Sequence, residues 1–429
     1  MKNNFDFILF GATGDLASRM ILPALYDAQS DDLLHKDFRI IATGRSKLSN
    51  AEFIEKLREK INIDDFSKWD EFVKRIIYVD IDINSLDDFL KLKNILRNDI
   101  LSIIYFSVSP SFFIKCCENL SKLKMNDDNK IIVLEKPLGM SLDECKSINT
   151  EIAKHYKEEQ IYRIDHYLGK RMVKELFDMR KTNKELDELI NQATRIELSA
   201  KECLGVLNRG EFYDTCGALR DMLQNHLLQM LSLLLIDTSA NDLRKAKSEF
   251  FKSLARFSKE DLKNNVIKAQ YTKNLDSKSY KDELNVSPNS RTETFVCVKT
   301  TLDKGRFKGV PIYLRTGKRM SEKITYFTIF LKNSNYLKIV ISPTEEIKLY
   351  SSNDKLIKSY EPSFKEDKKL KAYARIILRL INKDLNFFNE KEELESAWEW
   401  VQPIIDFDDF VMHEYKAYTD GINDSEFKK

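Results

Sequence analysis

The stretch "FDFILFGATGDLASRMILPALY", residues 5–26, decides how the chain begins to fold. Its first six residues predict a buried strand, and the spacing of apolar residues after Asp15 predicts a helix. Gly11 and Gly14 lie in the turn between them. Such a turn lets the backbone approach a pyrophosphate, whose charge the N–H groups of the helix N-terminus stabilise. Because the pattern is G-x-x-G-x-x-A rather than G-x-G-x-x-G, an ordinary tight turn stays open as the alternative.

The alternation of strands and helices continues to about residue 172. Helical patterns separate the apolar runs "FRIIATGR", "RIIYVDI", "LSIIYFSVSP" and "NKIIVLEKP". Strands that alternate with helices are typical of βαβ units. We therefore expect a Rossmann-like α/β domain with a doubly wound parallel sheet over residues 1–172.

The pattern changes in the remainder, residues 173–429. The strand-like runs "ATRIELSAKE", "TETFVCVKTTL", "VPIYLRTG", "ITYFTIFLK" and "YLKIVISP" are not separated by βαβ-type helices. This pattern predicts a larger α+β domain with a big antiparallel sheet, flanked by helices such as 219–236 and 242–256. The polar residues 271–293 predict a long surface loop.

Composition limits the kinds of partner. The 429 residues carry a net charge of +2, which favours neither nucleic acid nor an anionic membrane surface. The apolar run "LLQMLSLLLI", residues 227–236, is too short to span a bilayer. No secretory leader is expected, and the cysteines are scattered without a C-x-x-C pair. We therefore expect a cytoplasmic protein with no nucleic-acid or membrane partner and no metal.

The end of the second predicted strand separates two cofactors. NAD-binding proteins place an acidic residue there, which accepts hydrogen bonds from the ribose 2′-hydroxyl. This chain has "ATGRSK", with Arg45 and Ser46 in that position. A guanidinium binds a 2′-phosphate in a planar fork, and a hydroxyl can donate to it. The pattern favours NADP, although an Arg45 that only faces solvent fits the sequence equally well.

Several segments, taken together and in order, resemble the glucose-6-phosphate dehydrogenase family over nearly the whole chain. They are "GATGDLASRMILPALY", "EKPLG", "YRIDHYLGK", "GALRDMLQNHLLQML", "VPIYLRTGKRM" and "ESAWEWVQPI". The resemblance implies oxidation of glucose 6-phosphate at C1 to the 6-phospho-1,5-lactone, with hydride transfer to NADP. It also implies the first step of the oxidative pentose phosphate pathway and a homodimer or homotetramer.

The resemblance assigns roles to residues of this chain. His226 matches the general base, and Asp165 matches the carboxylate that orients it. Without the family, a lone histidine on an apolar helix is more often a packing residue. The implied substrate-binding residues are Lys136, His166, Tyr167, Lys170, Glu202, Asp221, Lys318 and Lys323. The implied cofactor-binding residues are Gly11, Thr13, Gly14, Asp15, Leu16, Arg45, Ser46 and Lys136.

The resemblance assigns His166, Tyr167 and Lys170 to the phosphate of the sugar. A helix beginning near Asp165 would place His166 and Lys170 one turn apart on the same face.

The chain departs from the family at two positions. Met20 stands where relatives usually have a lysine, and Ser342 where some have a glutamine. These departures put turnover and affinity in doubt and leave two alternatives open. One is an NAD(P)-dependent oxidoreductase of an unphosphorylated sugar, since "EKP" also occurs in that broad family. The other is an NADP-binding sensor without turnover.

Overall fold

The computed structural model describes residues 2–362 and 370–422, which form two compact units. The first unit holds 2–170 and 370–391, and the second holds 171–362 and 392–422. The chain therefore leaves the first unit after Lys170, returns to it once, and ends in the second. The predicted division at residues 172 and 173 assumed a single crossing and did not include this return.

The first unit is built on a parallel sheet. Its strands are β1 (Phe5–Phe10), β2 (Arg39–Gly44), β3 (Ile76–Asp80), β4 (Leu101–Phe106), β5 (Lys130–Leu134) and β6 (Ile161–Arg163). They lie in the order β3-β2-β1-β4-β5-β6, and every pairing is parallel. The predicted doubly wound sheet is confirmed, with its strand order reversing beside β1.

Helices connect these strands, and further helices follow after Lys170, most of them in the second unit. In the first unit they are α1 (Leu22–Ser30), α2 (Asn50–Arg58), α3 (Phe66–Val73), α4 (Leu86–Ile95), α5 (Phe113–Lys122) and α6 (Leu142–Ala153). Those that follow are α7 (Arg171–Thr182), α8 (Lys184–Ile190), α9 (Gly210–Ala218), α10 (Leu228–Leu235), α11 (Leu243–Lys252), α12 (Lys259–Asn265), α13 (Ala372–Ile381) and α14 (Lys391–Asp406). Ala17–Ile21 and Leu219–Leu227 are wound as π-helix and run directly into α1 and α10.

Helix α13 is the part of the chain that returns to the first unit. Its apolar side chains, including Ile377 and Leu380, belong to the same buried core as Phe7 and Leu25. Their burial contributes to the hydrophobic stabilisation of that unit. A helix far along the sequence thus completes the core that the N-terminal βαβ series begins.

The second unit contains a large mixed sheet. Its strands are β7 (Ala193–Lys201), β8 (Val266–Thr272), β9 (Phe295–Thr300), β10 (Ile312–Gly317), β11 (Ile324–Leu331), β12 (Tyr336–Ser342), β13 (Glu346–Tyr350), β14 (Leu356–Tyr360) and β15 (Met412–Lys416). They lie in the order β14-β13-β12-β11-β7-β10-β9-β8-β15. Most pairings are antiparallel, which confirms the predicted α+β domain. Two pairings, β10 with β7 and β15 with β8, are parallel and were not predicted.

The segment predicted as a surface loop over 271–293 is partly buried. Strand β8 extends to Thr272, and the side chains of Tyr280 and Glu293 are buried. The polar composition of the segment hid these contacts, because both residues bury their polar groups with hydrogen-bond partners. In the described parts of the chain, no helix is both long and apolar enough to cross a bilayer.

Candidate active site

A pocket of about 340 Å³ lies at the carboxyl ends of β1, β2 and β4 in the first unit. Gly11, Thr13 and Gly14 line it, and the Gly14 N–H donates to the Gly11 carbonyl at 2.9 Å. Gly11 has φ +78°, and a Cβ there would lie 2.2 Å from the main-chain oxygen of Ser107. Only glycine fits this close approach. The pocket occupies the switch point of the sheet, where doubly wound folds bind ligands.

The turn after β2 presents a cation to this pocket. Arg45 lines it and is exposed, and Ser46 follows. The Tyr78 hydroxyl donates to the Ser46 carbonyl at 2.7 Å, and the Tyr78 ring stacks on Phe53 at 4.8 Å between centroids. These contacts hold the turn that carries Arg45. Its guanidinium is therefore available to an anionic group in the pocket.

Two residues that line this pocket were not predicted from the sequence. Asp82 and Asn84 line the pocket and follow β3 directly. Their position after β3 could have predicted that they line the pocket, because the carboxyl ends of adjacent parallel strands meet at one edge of the sheet. Two predicted cofactor residues lie beside the turn: Asp15 is exposed and pairs with Arg19 at 2.8 Å, and Leu16 is half-buried.

Lys136 begins the turn after β5, and its peptide bond to Pro137 is cis. The preceding residue, Glu135, is buried and accepts hydrogen bonds from the hydroxyls of Tyr105 and Tyr373. Burial raises the pKa of Glu135, and the two hydroxyls and the adjacent Lys136 oppose that rise. This buried cluster fixes the end of the strand from which Lys136 projects.

The segment at Asp165 forms a shorter turn than expected. A 3-10 turn covers His166–Gly169, and Asp165 caps it by accepting the Tyr167 N–H at 2.9 Å. The backbone at Lys170 is extended and does not continue the turn. The prediction that a helix places His166 and Lys170 one turn apart is therefore wrong. Helix α7 begins only at Arg171. The Lys170 ammonium instead lies over the Tyr167 ring, 3.6 Å from its centroid.

In the second unit, Lys318 joins two of the predicted sugar-binding carboxylates. Its ammonium lies 2.7 Å from a Glu202 oxygen and 3.2 Å from an Asp221 oxygen, and 4.9 Å from the centre of the Tyr213 ring. Burial alone would lower the pKa of Lys318, but Glu202 and Asp221 outweigh it and raise the pKa. The ammonium stays charged, and the cluster offers both donors and acceptors to a polyhydroxylated ligand.

His226 lies on the π-helical segment that also carries Asp221. His226 is 1% exposed, and its main-chain N–H donates to the side-chain oxygen of Asn225 at 2.6 Å. Single π-turns within helices are frequent at functional sites because they shift the direction of side chains. Lys323 precedes β11 and is exposed.

The predicted residues therefore fall into two groups. Asp165, His166, Tyr167 and Lys170 belong to the first unit, whereas His226 belongs to the second. The pairing of Asp165 with His226 stays a prediction. Within the second unit, Glu202, Asp221 and Lys318 come together from distant parts of the sequence.

The fold and the pocket at the switch point define the class of dinucleotide-binding α/β oxidoreductases. Two family descriptions cover most of the chain: "Glucose-6-phosphate dehydrogenase, NAD binding domain" matches residues 8–175, and "Glucose-6-phosphate dehydrogenase, C-terminal domain" matches 177–427. The chain belongs to the glucose-6-phosphate dehydrogenase family. The expected resemblance is thereby confirmed, and a nicotinamide dinucleotide is its cofactor.

Individual relatives agree with this assignment. The chain is 39% identical to "Glucose-6-phosphate 1-dehydrogenase" of Helicobacter pylori over 437 residues, covering 99% of each. It is 34% identical to the protein of the same name from Buchnera aphidicola, covering 94% of this chain and 92% of that one. A solved structure titled as glucose-6-phosphate dehydrogenase in complex with glucose-6-phosphate has a TM-score of 0.90 and 26% identity, covering 99% and 96%.

We expect Gly11→Ala to weaken dinucleotide binding by about 10-fold or more, which corresponds to ~1.4 kcal/mol. The added methyl group would meet the Ser107 carbonyl and narrow the pocket at the glycine turn. Titration with NADPH, monitored through the fluorescence of the reduced nicotinamide, measures the change in affinity. Gly305→Ala is the control, because Gly305 also has a positive φ, +86°, but faces open space. Equal affinities of the two variants would contradict the assignment of this pocket.

Proposed function

We propose that the protein oxidises D-glucose 6-phosphate at C1 to 6-phospho-D-glucono-1,5-lactone and passes the hydride to NADP. The observation that carries this proposal is the full-length match to a solved relative that binds glucose-6-phosphate. The reaction is the first oxidative step of the pentose phosphate pathway. We further propose a cytoplasmic homodimer or homotetramer, with the domain limits 1–172 and 173–429 apart from residues 370–391, which belong to the first unit.

Removal of hydride from an alcohol needs a base for the hydroxyl proton. We assign this role to His226, because a neutral imidazole accepts a proton near neutral pH. Asp165 is its orienting partner: a carboxylate on the second ring nitrogen fixes the tautomer and stabilises the imidazolium that forms. This pairing requires the two residues to meet in the active enzyme.

The hexose and its phosphate need different chemistry. The Lys318 ammonium lies within hydrogen-bonding distance of the Glu202 and Asp221 carboxylates, and these donors and acceptors suit ring hydroxyls. His166, Tyr167 and Lys170 are assigned to the phosphate, and Lys323 to its edge. Lys136 lies between sugar and cofactor in this proposal. Together these groups distinguish a sugar phosphate from a free sugar.

NADP supplies the hydride acceptor when it is bound. Gly11, Thr13 and Gly14 suit the pyrophosphate, with Asp15 and Leu16 beside them at the start of the helix. Arg45 and Ser46 suit the 2′-phosphate, since a guanidinium and a hydroxyl both donate to its oxygens. The exposed Arg45 on the pocket wall supports this choice of NADP.

A direct assay separates the alternatives. We expect absorbance of the reduced nicotinamide to appear with NADP and glucose 6-phosphate, at a kcat/KM at least about 100-fold above that for free glucose. Comparable turnover of free glucose would favour an oxidoreductase of unphosphorylated sugars. Intact NADP binding without any turnover would favour a sensor. The loss of turnover would then be attributed to Met20, which is exposed, and Ser342, which is half-buried.

We expect His226→Asn to lower kcat by about 100-fold or more, because the proton of the hydroxyl would lose its acceptor. The KM for glucose 6-phosphate should change far less, since the sugar-binding groups remain. Steady-state kinetics measure both. His413→Asn, a histidine on β15 outside the proposed site, is the matched control and should leave kcat unchanged. A rise in KM alone for His226→Asn would show a binding role instead.

We expect Arg45→Ala to raise the Kd of NADP by about 10-fold or more while the Kd of NAD stays nearly constant, because only NADP carries the 2′-phosphate. Fluorescence titration with both reduced cofactors measures the selectivity. Arg58→Ala, in the last turn of α2, removes an equal charge from the same unit as a control. Equal losses for both cofactors would refute 2′-phosphate recognition by Arg45.

A further inference from the structure

Glu293 is a buried carboxyl group outside every role assigned above. It lies two residues before β9, in the segment expected to be a surface loop. Its side-chain oxygen accepts the Leu219 N–H at 2.9 Å, and its main-chain carbonyl accepts the Ala218 N–H at 3.0 Å. One residue therefore satisfies two N–H groups at the start of the helical run Leu219–Leu235.

That start is where the helix would otherwise leave donors unsatisfied. Helix α9 is interrupted at Gly217, which has φ +61° and ψ −179°, so the run that carries Asp221 and His226 begins anew. Gly217, Ala218 and Leu219 are buried, so the first N–H groups are shielded from bulk solvent and need partners within the protein. A Cβ at Gly217 would lie 2.3 Å from the Glu293 carboxylate. The backbone and this carboxylate are therefore closely fitted.

The next residue holds the other side of the sugar-binding cluster. The Thr294 carbonyl accepts the Lys318 N–H at 2.9 Å. The Tyr415 hydroxyl donates to the Lys318 carbonyl at 2.6 Å and lies 3.3 Å from the Thr294 carbonyl. Two adjacent residues thus connect the helix that carries Asp221 with the strand end that carries Lys318.

A buried cation, Lys268, stabilises the charged form of Glu293. The Lys268 ammonium donates to the carbonyls of Ile404 and Phe407, at 2.8 and 3.2 Å, near the C-terminal end of α14. Burial raises the pKa of Glu293, whereas the Leu219 N–H and Lys268 act in the opposite direction. Lys268 therefore favours the negative charge at the N-terminus of one helix while it serves the C-terminus of another.

We propose that Glu293 is a positioning residue, which sets the distance between the helix carrying Asp221 and His226 and the strand end carrying Lys318. It touches neither substrate nor cofactor in this proposal. Its effect on turnover rests on the proposed function, because it acts through His226 and the Lys318 cluster. Misplacement of reacting groups by about 1 Å can cost about 100-fold in rate, so small shifts at this cap matter.

The test compares three variants of the full-length protein. Glu293→Ala removes the side-chain acceptor and should lower kcat/KM for glucose 6-phosphate by about 10- to 100-fold, with the Kd of NADP unchanged. Glu293→Gln keeps an amide oxygen in the same place and should recover activity to within about threefold of the wild type. Asp187→Asn is the control: Asp187 lies on α8 and acts through Arg180 at the opposite end of the helical run Leu219–Leu235. It weakens the pair with Arg180, whose guanidinium binds the Leu234 and Ile236 carbonyls.

The control separates positioning from simple stabilisation. If Glu293 only stabilised the fold, Glu293→Ala and Asp187→Asn would lower the melting temperature and activity in parallel. The positioning role instead predicts loss of kcat/KM in Glu293→Ala alone, with recovery in Glu293→Gln. Full activity of Glu293→Ala, or equal losses in it and the control, would overturn the proposal.

A second readout does not depend on turnover. The chain has five histidines, so the His226 side-chain resonance can be assigned with the His226→Asn variant. It should shift in Glu293→Ala and stay in place in Glu293→Gln and Asp187→Asn. An inactive wild type would refute the proposed function while this shift still supported the positioning role. An unchanged resonance would refute positioning even in an active enzyme.

Discussion

The sugar-binding cluster of the second unit depends on one partly buried cation, the Lys318 ammonium between Glu202 and Asp221. An ammonium taken out of water is costly unless opposite charges and hydrogen bonds replace its hydration. Glu202 directly follows β7, Asp221 lies on a helix that begins after Gly217, and Lys318 directly follows β10. Three distant parts of the chain must therefore be brought together before the charge is compensated. The parallel pairing of β7 with β10 places Lys201 opposite Gly317, next to the two residues that form the ion pair.

A different constraint governs the first unit, where the absence of a side chain matters most. Gly11 allows the chain to pass against Ser107 at the end of β4. Both residues line the pocket between the strand ends. Tyr78 and Phe53 then hold the turn that presents Arg45. Glycine and aromatic packing determine the shape of the pocket, and Arg45 adds a positive charge at its rim. The first unit thus forms its pocket where a side chain is absent, and the second places a charged side chain between two carboxylates.

Much of this was predictable from local pattern. The βαβ series follows from alternating strands and helices, and the Gly11–Gly14 turn follows from its place between β1 and the first helix. Non-local features were harder to predict. The parallel β15 and β8 pair and the burial of Glu293 depend on contacts between residues far apart in sequence, which periodicity does not report. The error at Asp165 was local: Asp165 caps a 3-10 turn, and Lys170 is already extended, so an expected i,i+4 relation did not form.

The return of α13 to the first unit has a consequence for how the protein is made. Tyr373, Ile377 and Leu380 complete a core whose other members are translated much earlier. At about 5–20 residues per second, a ribosome needs on the order of 10 s or more to synthesise the intervening segment. Until α13 emerges, the nascent N-terminal portion exposes the apolar surface that this helix covers. The core of the first unit can therefore be complete only after the ribosome has passed Ile381, when most of the second unit has already been synthesised.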